Sequence, residues 1–216
     1  RKIGDEWFVV VPPASDLRRA VDDMVAALGH DTLSQLKEAT ANSPRAAMRN
    51  FLQGTRNWHT GGRERALAAL DLSFLPPRLY SFEAPLLAEY LKQVIDRAGY
   101  VTWQEISDNP DRPGAYVFYR HPAGSVVIEQ VPGPEGEPPR WKFSAETLRN
   151  APQLFAQMQD LPVATGISPS VPITRFFQIR ESIRSGIPVL LLRPGPLELW
   201  QWLVIPMSIV FAALFG

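Results

Sequence analysis

The stretch SVVIEQVPGPEGEPPRWKFSAETLRNAPQLFAQM, residues 125–158, decides the fold class. SVVIEQV is strand-like, PGPEGEPP is a loop by composition, and RWKFS reads as a second strand, so the first half has the form of a hairpin with a long tip. SAETLRNAPQLFAQM is helical, and Pro152 is expected to divide it into two short helices by occupying the first turn of the second. Just upstream, AYVFYR (115–120) is a further strand, separated from SVVIEQV by the turn signal HPAG. YVTWQEI (100–106) reads as a short strand or an extended segment.

Further toward the N-terminus the texture is helical. SPRAAMRNFLQG (43–54) has Ser43 as N-cap, Pro44 at the first helical position, a stripe of Met48, Phe51 and Leu52, and Gly54 as its expected stop. GRERALAALDL (62–72) carries Ala66, Leu67 and Leu70. A longer helix is expected over Pro85 to Ala98, with Leu87, Tyr90, Leu91, Val94 and Ile95 inward and Gly99 as terminator. Before these, EWFVVV (6–11) reads as a strand. Asp16 to Leu28 reads as a helix capped by Ser15 and ended by Gly29, with Leu17, Val21, Met24, Val25 and Leu28 on one face. EWFVVVPPASDLRRAVDDM loosely echoes RWKFSAETLRNAPQLF, as the tail of an earlier repeat would. Helices, then a small antiparallel sheet, then more helix make the expected class α+β.

Downstream, residues 162–174 are proline-rich and expected to be extended. TRFFQIRESIRSG (174–186) suggests an amphipathic helix, with Phe176, Phe177, Ile179 and Ile183 beside Arg175, Arg180 and Arg184. The chain then runs into PLELWQWLVIPMSIVFAALFG (196–216), in which the 18 residues from Leu199 onward carry no charge. A bilayer core takes about 20 apolar residues. Trp200 and Trp202 stand where interfacial aromatics belong, and Pro206 is tolerated in membrane helices. The expectation is the start of a transmembrane helix, against the alternative of a buried C-terminal helix. Arg175, Arg180, Arg184 and Arg193 oppose only Glu181 and Glu198, which makes them candidates for contact with lipid headgroups or a neighbouring subunit, or simply a solvated face.

Composition bounds the rest. The 216 residues hold 22 basic and 22 acidic side chains, so no net field favours nucleic acid. There are 21 prolines, which favours stiff, punctuated connections, and no cysteine, which removes disulfides, thiolate metal sites and a cysteine nucleophile. The chain opens on Arg1 and stops at Gly216 inside an apolar run, as an excised piece of a longer polypeptide would. His30, His59 and His121 are far apart, and no phosphate loop, dinucleotide fingerprint or nucleophile elbow occurs. DNPDRPG (108–114) lacks the spacing of a calcium loop. No catalytic, cofactor or metal site is expected. The strongest enzyme-like set is Trp58, His59 and Asp71, with Tyr90 able to face the same pocket; a His/Asp pair there can do acid–base work.

Taken together, SPRAAMRNFL, RERALAALDLSFLPP (63–77), APLLAEYLKQVIDR (84–97), RWKFSAETLRNAPQLF (140–155) and GPLELWQWL (195–203) resemble the extracytoplasmic region of certain large bacterial channels of the MscS (small-conductance mechanosensitive) family. The resemblance covers about residues 43–205. Its most specific parts are the strand-to-helix junction at Trp141 to Thr147 and the approach to the apolar helix at Leu197 to Trp202. SPRAAMRNFL also resembles the first helix of cone-shaped α+β domains of the ketosteroid-isomerase type, which include both enzymes and scaffolds. The channel resemblance implies a non-catalytic, mostly periplasmic module of an inner-membrane homo-oligomer, with lipid as a partner. The expected division is a strand–helix segment (1–42) outside the resemblance, an α+β domain (43–161), a proline-rich linker with a membrane-proximal helix (162–196) and the start of a span (197–216). The positive-inside rule would place the arginines before the span in the cytoplasm, and the resemblance places them outside. A cone-fold binder or enzyme and a single-span periplasmic adaptor are the alternatives.

Overall fold

The computed structural model describes residues 2–3, 6–7, 13–27, 31–33, 41–133, 137–164, 172–192, 195 and 197–215. Two short strands, β1 (Lys2–Ile3) and β2 (Glu6–Trp7), pair antiparallel and precede helix α1 (Ala14–Ala27). Then come α2 (Pro44–Arg56), a 3-10 turn at Trp58–Thr60, α3 (Arg63–Ala68) and α4 (Pro77–Ala98). Strands β3 (Tyr116–His121), β4 (Gly124–Val131) and β5 (Arg140–Phe143) form an antiparallel sheet in the order β3-β4-β5. Helix α5 (Ala145–Met158) follows, then α6 (Arg175–Gly186), a 3-10 turn at Pro188–Leu191 and α7 (Leu199–Phe215). The class is α+β: among the described residues seven helices accompany the small three-stranded sheet.

The sheet follows from side-chain alternation. Val126 and Ile128 of β4 and Trp141 and Phe143 of β5 are buried, while the intervening Val127, Glu129 and Lys142 are only partly buried. Register pairs Ile128 with Phe143 and Gln130 with Trp141. The β3–β4 register slips between Val117 and Tyr119, a local bulge. The outer side of β5 is held by the end of α3: the Phe143 N–H donates to the Ala69 carbonyl at 2.9 Å, and the Asp71 N–H donates to the Phe143 carbonyl at 2.9 Å.

The turn from β5 into α5 is a buried polar stitch. Ser144 Oγ accepts the Thr147 N–H at 3.1 Å, the N-cap bond expected of a serine here. The Thr147 hydroxyl accepts the Val127 N–H at 2.8 Å and donates to the Ser125 carbonyl at 3.1 Å. One Ser-x-x-Thr pair therefore starts a helix and fixes it to the neighbouring strand. The resulting α5 packs along α4 on one side and against β4 on the other. Phe51 and Phe143 meet edge-on at 5.1 Å in the same core, with Met48, Leu91, Ile95, Leu148 and Phe155 fully buried around them.

Several local expectations change. Gly54 does not end α2, which runs on to Arg56. A Cβ at Gly54 would lie 2.5 Å from the Ala66 nitrogen, so the glycine is there for the close approach of α3. α4 begins at Pro77 rather than Pro85, which lies inside it. Pro152 likewise lies inside a single continuous α5, because buried Leu148 and Ala151 before it and Leu154, Phe155 and Met158 after it hold both halves on one face. YVTWQEI contains no strand; residues 103–105 turn. In α1, Val25 is buried, but Leu17 and Met24 are exposed, so the expected face is not covered along its length. Ser15 lies within α1 rather than capping it, and its hydroxyl meets its neighbour Asp16. Residues 8–11 of the first expected strand, Leu28, Gly29, His30, Arg193 and residues 165–171 of the proline-rich segment lie outside the described residues.

Candidate functional site at the base of the apolar helix

α6 is positioned by two buried carboxylates, one at its start and one at its middle. At its start, Glu89 of α4 is fully buried and its Oε2 accepts the N–H groups of Ile173 and, at 3.1 Å, Thr174. Gln93 Nε2 donates to the other oxygen at 3.2 Å. A carboxylate at a helix N-terminus meets free N–H groups and the positive end of the helix dipole. Burial still pushes the Glu89 carboxyl above its ordinary value, opposed by the hydrogen bonds and by Lys92. Thr174 completes the cap by accepting the Phe177 N–H.

One turn on, aromatic rings tie α6 to the body. Phe177 packs against Tyr90 at 5.0 Å, Phe155 at 5.3 Å and Phe176 at 5.3 Å. Phe176 in turn lies 5.9 Å from Trp200. Arg180 follows on the same inward face and is only 4% exposed. Its Nε donates to Glu198 Oε1 at 3.0 Å, its Nη2 donates to Gln159 Oε1, and its guanidinium stacks over Phe155 at 5.0 Å.

Glu198 is 1% exposed and stands immediately before α7. Its second oxygen accepts the Trp200 indole N–H at 2.7 Å. Its backbone N–H donates to Gln201 Oε1 at 2.9 Å, while its carbonyl accepts the Gln201 N–H at 2.9 Å. The Gln201 side chain reaches back to the backbone N–H of the residue before the helix, which is one half of a capping box. The Arg180–Glu198 pair thus joins the end of α5, α6 and the first turn of α7. A pair this deep survives only with both members present; losing one strands a charge, at a cost of about 3–5 kcal/mol.

Beyond its base α7 changes character. Trp202, Leu203, Val204, Ile205, Met207, Ile209, Val210 and Phe211 are all exposed. The helix has 17 described residues, and among the described residues no helix is long and apolar enough to cross a membrane.

The arginines expected on one exposed edge have separated. Arg175 is exposed, Arg184 is partly buried, and Arg180 is inside the fold, bound to Glu198. The two tryptophans also differ: Trp200 turns inward onto Phe176, whereas Trp202 faces out. The enzyme-like set is not gathered. His59 is exposed. The Asp71 side chain accepts the Ser73 N–H at 3.2 Å as a turn residue, and Tyr90 belongs to the aromatic cluster. Trp58 lines a cavity of about 390 Å3 with Phe82, Leu86 and Phe176, and its lining includes neither His59, Asp71 nor Tyr90. Among the described residues no group of three or more histidines and carboxylates is placed to hold a metal ion.

Sequence reading missed Glu89, Gln159 and Arg97. A signal existed for the central pair: Glu198 was one of two acids facing four arginines. Glu89 carried none, since its ligands lie 84 and 85 residues downstream. Compared with known protein families, curated proteins and solved structures, the chain matches none of them.

Proposed function

We propose that this chain is a non-catalytic extracytoplasmic module of a mechanosensitive-type ion channel in a bacterial inner membrane, contributing to assembly or gating. The observation that carries the reading is the junction itself. An apolar helix whose side chains from Trp202 to Phe211 are largely exposed is fastened at its first turn, through Glu198, to a folded α+β body. The outward face of α7 is solvated by lipid, with Trp202 near the interface, and the body stays in the periplasm. Arg175 and Arg184 lie toward lipid headgroups or a neighbouring subunit of a homo-oligomer. No nucleic acid and no cofactor take part.

An external body influences gating only if it contacts the closed and open states differently. The Arg180–Glu198 pair is the element able to carry such a difference, because its members stand on α6 and at the entry to α7, so a shift of one helix against the other would separate them. The test is patch-clamp recording from membranes bearing the full-length polypeptide, comparing the pressure threshold of the parent with Arg180→Leu. A shifted threshold at equal surface expression is expected. Tension-insensitive membranes, or an unchanged threshold, would remove the proposal.

A further inference from the structure

Beside the Arg180–Glu198 pair lies a cavity of about 630 Å3, lined by Arg97, Arg180 and Arg184 together with Asp160, Leu191 and Leu192, among others. The three guanidiniums are not equivalent. Arg180 is committed to Glu198 and Gln159. Arg97 uses Nη1 for the Gln93 carbonyl at 3.0 Å and the Gln93 side-chain oxygen at 2.7 Å, and its Nε is buried without a hydrogen-bond partner among the described residues. Arg184 has no hydrogen bond or ion pair among the described residues. Arg97 is held below the usual arginine range by burial first and by Arg184 second, so the two cations repel across the same space. Three guanidiniums face one lining carboxylate, Asp160, which is exposed. Glu181 and Asp96 also face Arg97, but Glu181 is exposed and Asp96 is paired with Lys92 at 2.5 Å.

We propose that this cavity binds a phosphate ester, with Arg97 and Arg184 holding the phosphate and the Leu191–Leu192 wall taking the attached organic group. Guanidinium forks match phosphate oxygens in geometry and charge. The volume is in the range of small-molecule sites. Bound phosphate cancels the repulsion between Arg97 and Arg184, two cations lining the same space. Arg180 remains turned away onto Glu198 and shapes the wall without taking part. The site stands at the foot of α7, since the Leu192 carbonyl accepts the Leu199 N–H at 2.9 Å. A phospholipid headgroup and a soluble phosphate ester present the same chemistry there. The proposal does not depend on the channel reading.

The test uses the 216-residue chain in non-ionic detergent, with two probes. The first is inorganic phosphate titrated by calorimetry at constant ionic strength. The second is flotation with vesicles of phosphatidylglycerol against vesicles of phosphatidylcholine. Arg184→Gln removes a cation whose loss breaks no hydrogen bond among the described residues, and Arg120→Gln, at an exposed position of β3, is the charge-matched control. Arg97→Gln is the second variant, accepted where its circular dichroism equals the parent's. Saturable phosphate binding, weakened about tenfold or more by Arg184→Gln and unchanged by Arg120→Gln, supports the site with a soluble ester as ligand. No phosphate binding, but a preference for phosphatidylglycerol that Arg184→Gln abolishes, supports the site with a headgroup as ligand. Absence of both, or equal losses in Arg184→Gln and Arg120→Gln, overturns it.

Discussion

The body from Ser43 to Met158 and the segment from Ile173 to the first turn of α7 are both buried, by different chemistry. The body closes on Phe51, Phe143, Leu148, Leu154 and Phe155, none more than 1% exposed. The segment closes on Phe177, together with Glu89, Arg180 and Glu198. Apolar contacts are non-directional and tolerate small adjustments. A buried charge pair is satisfied in one geometry only, and a lost partner leaves a stranded charge. The difference teaches where the position of α7 is decided: at the polar junction, while the body supplies a rigid support.

The largest effect expected is on the body. Phe143→Ala removes a ring at the meeting of α2, β4 and β5 and should lower global stability by about 3–5 kcal/mol, read from chemical denaturation. Next comes the junction. Glu198→Ala strands Arg180 and takes the acceptor from Trp200, with a loss near the lower end of the range for broken buried pairs, about 3 kcal/mol. That loss should be local: hydrogen exchange should rise over 175–202 and stay unchanged in α2 and α5. The double variant Arg180→Leu/Glu198→Leu should recover most of the stability, since a well-packed apolar pair can replace a buried ionic one. If exchange instead rises evenly through α2 and α5, the two regions are one cooperative unit and the comparison fails.

The smallest effect concerns Glu89 and sharpens the comparison by pH. Its folded carboxyl titrates above its ordinary value of 4.5, so the protonated form is favoured by folding. The associated stability is therefore fully present below 4.5 and is lost as the pH rises through the higher folded value. Glu89→Gln keeps an acceptor for Ile173 and Thr174 without the charge. It should abolish that slope while changing stability at neutral pH by no more than about 1 kcal/mol. Denaturation midpoints measured from pH 4 to pH 8 decide it; a slope that persists in Glu89→Gln assigns the titration elsewhere.

The elements legible in the sequence were those set by neighbours in the chain. Ser43 with Pro44, Ser144 before α5, HPAG between β3 and β4, and Gly99 after α4 each act within a few residues, and each stands where local chemistry puts it. The misreadings came from residues whose role is tertiary. Gly54 has the look of a stop, but its missing side chain makes room for α3. Pro152 has the look of a break, but buried contacts on both sides keep α5 whole. The arginines of α6 read alike by spacing. Only the return of the chain 18 residues later brings Glu198 to Arg180 and not to Arg175. Arg97 looked like an ordinary basic residue of a last helical turn, and its place in a cavity depends on α5 and α6 closing over it.

The most direct test asks what surrounds the outward face of α7. The chain has no cysteine, so a single nitroxide can be placed by Ile209→Cys, with Glu146→Cys, at an exposed position of α5, as the aqueous reference. In phosphatidylethanolamine–phosphatidylglycerol vesicles, the label at 209 should be accessible to oxygen and shielded from a water-soluble nickel chelate, while the label at 146 shows the reverse. Equal accessibility to the nickel chelate at both positions would contradict a lipid-solvated helix fastened to a periplasmic body.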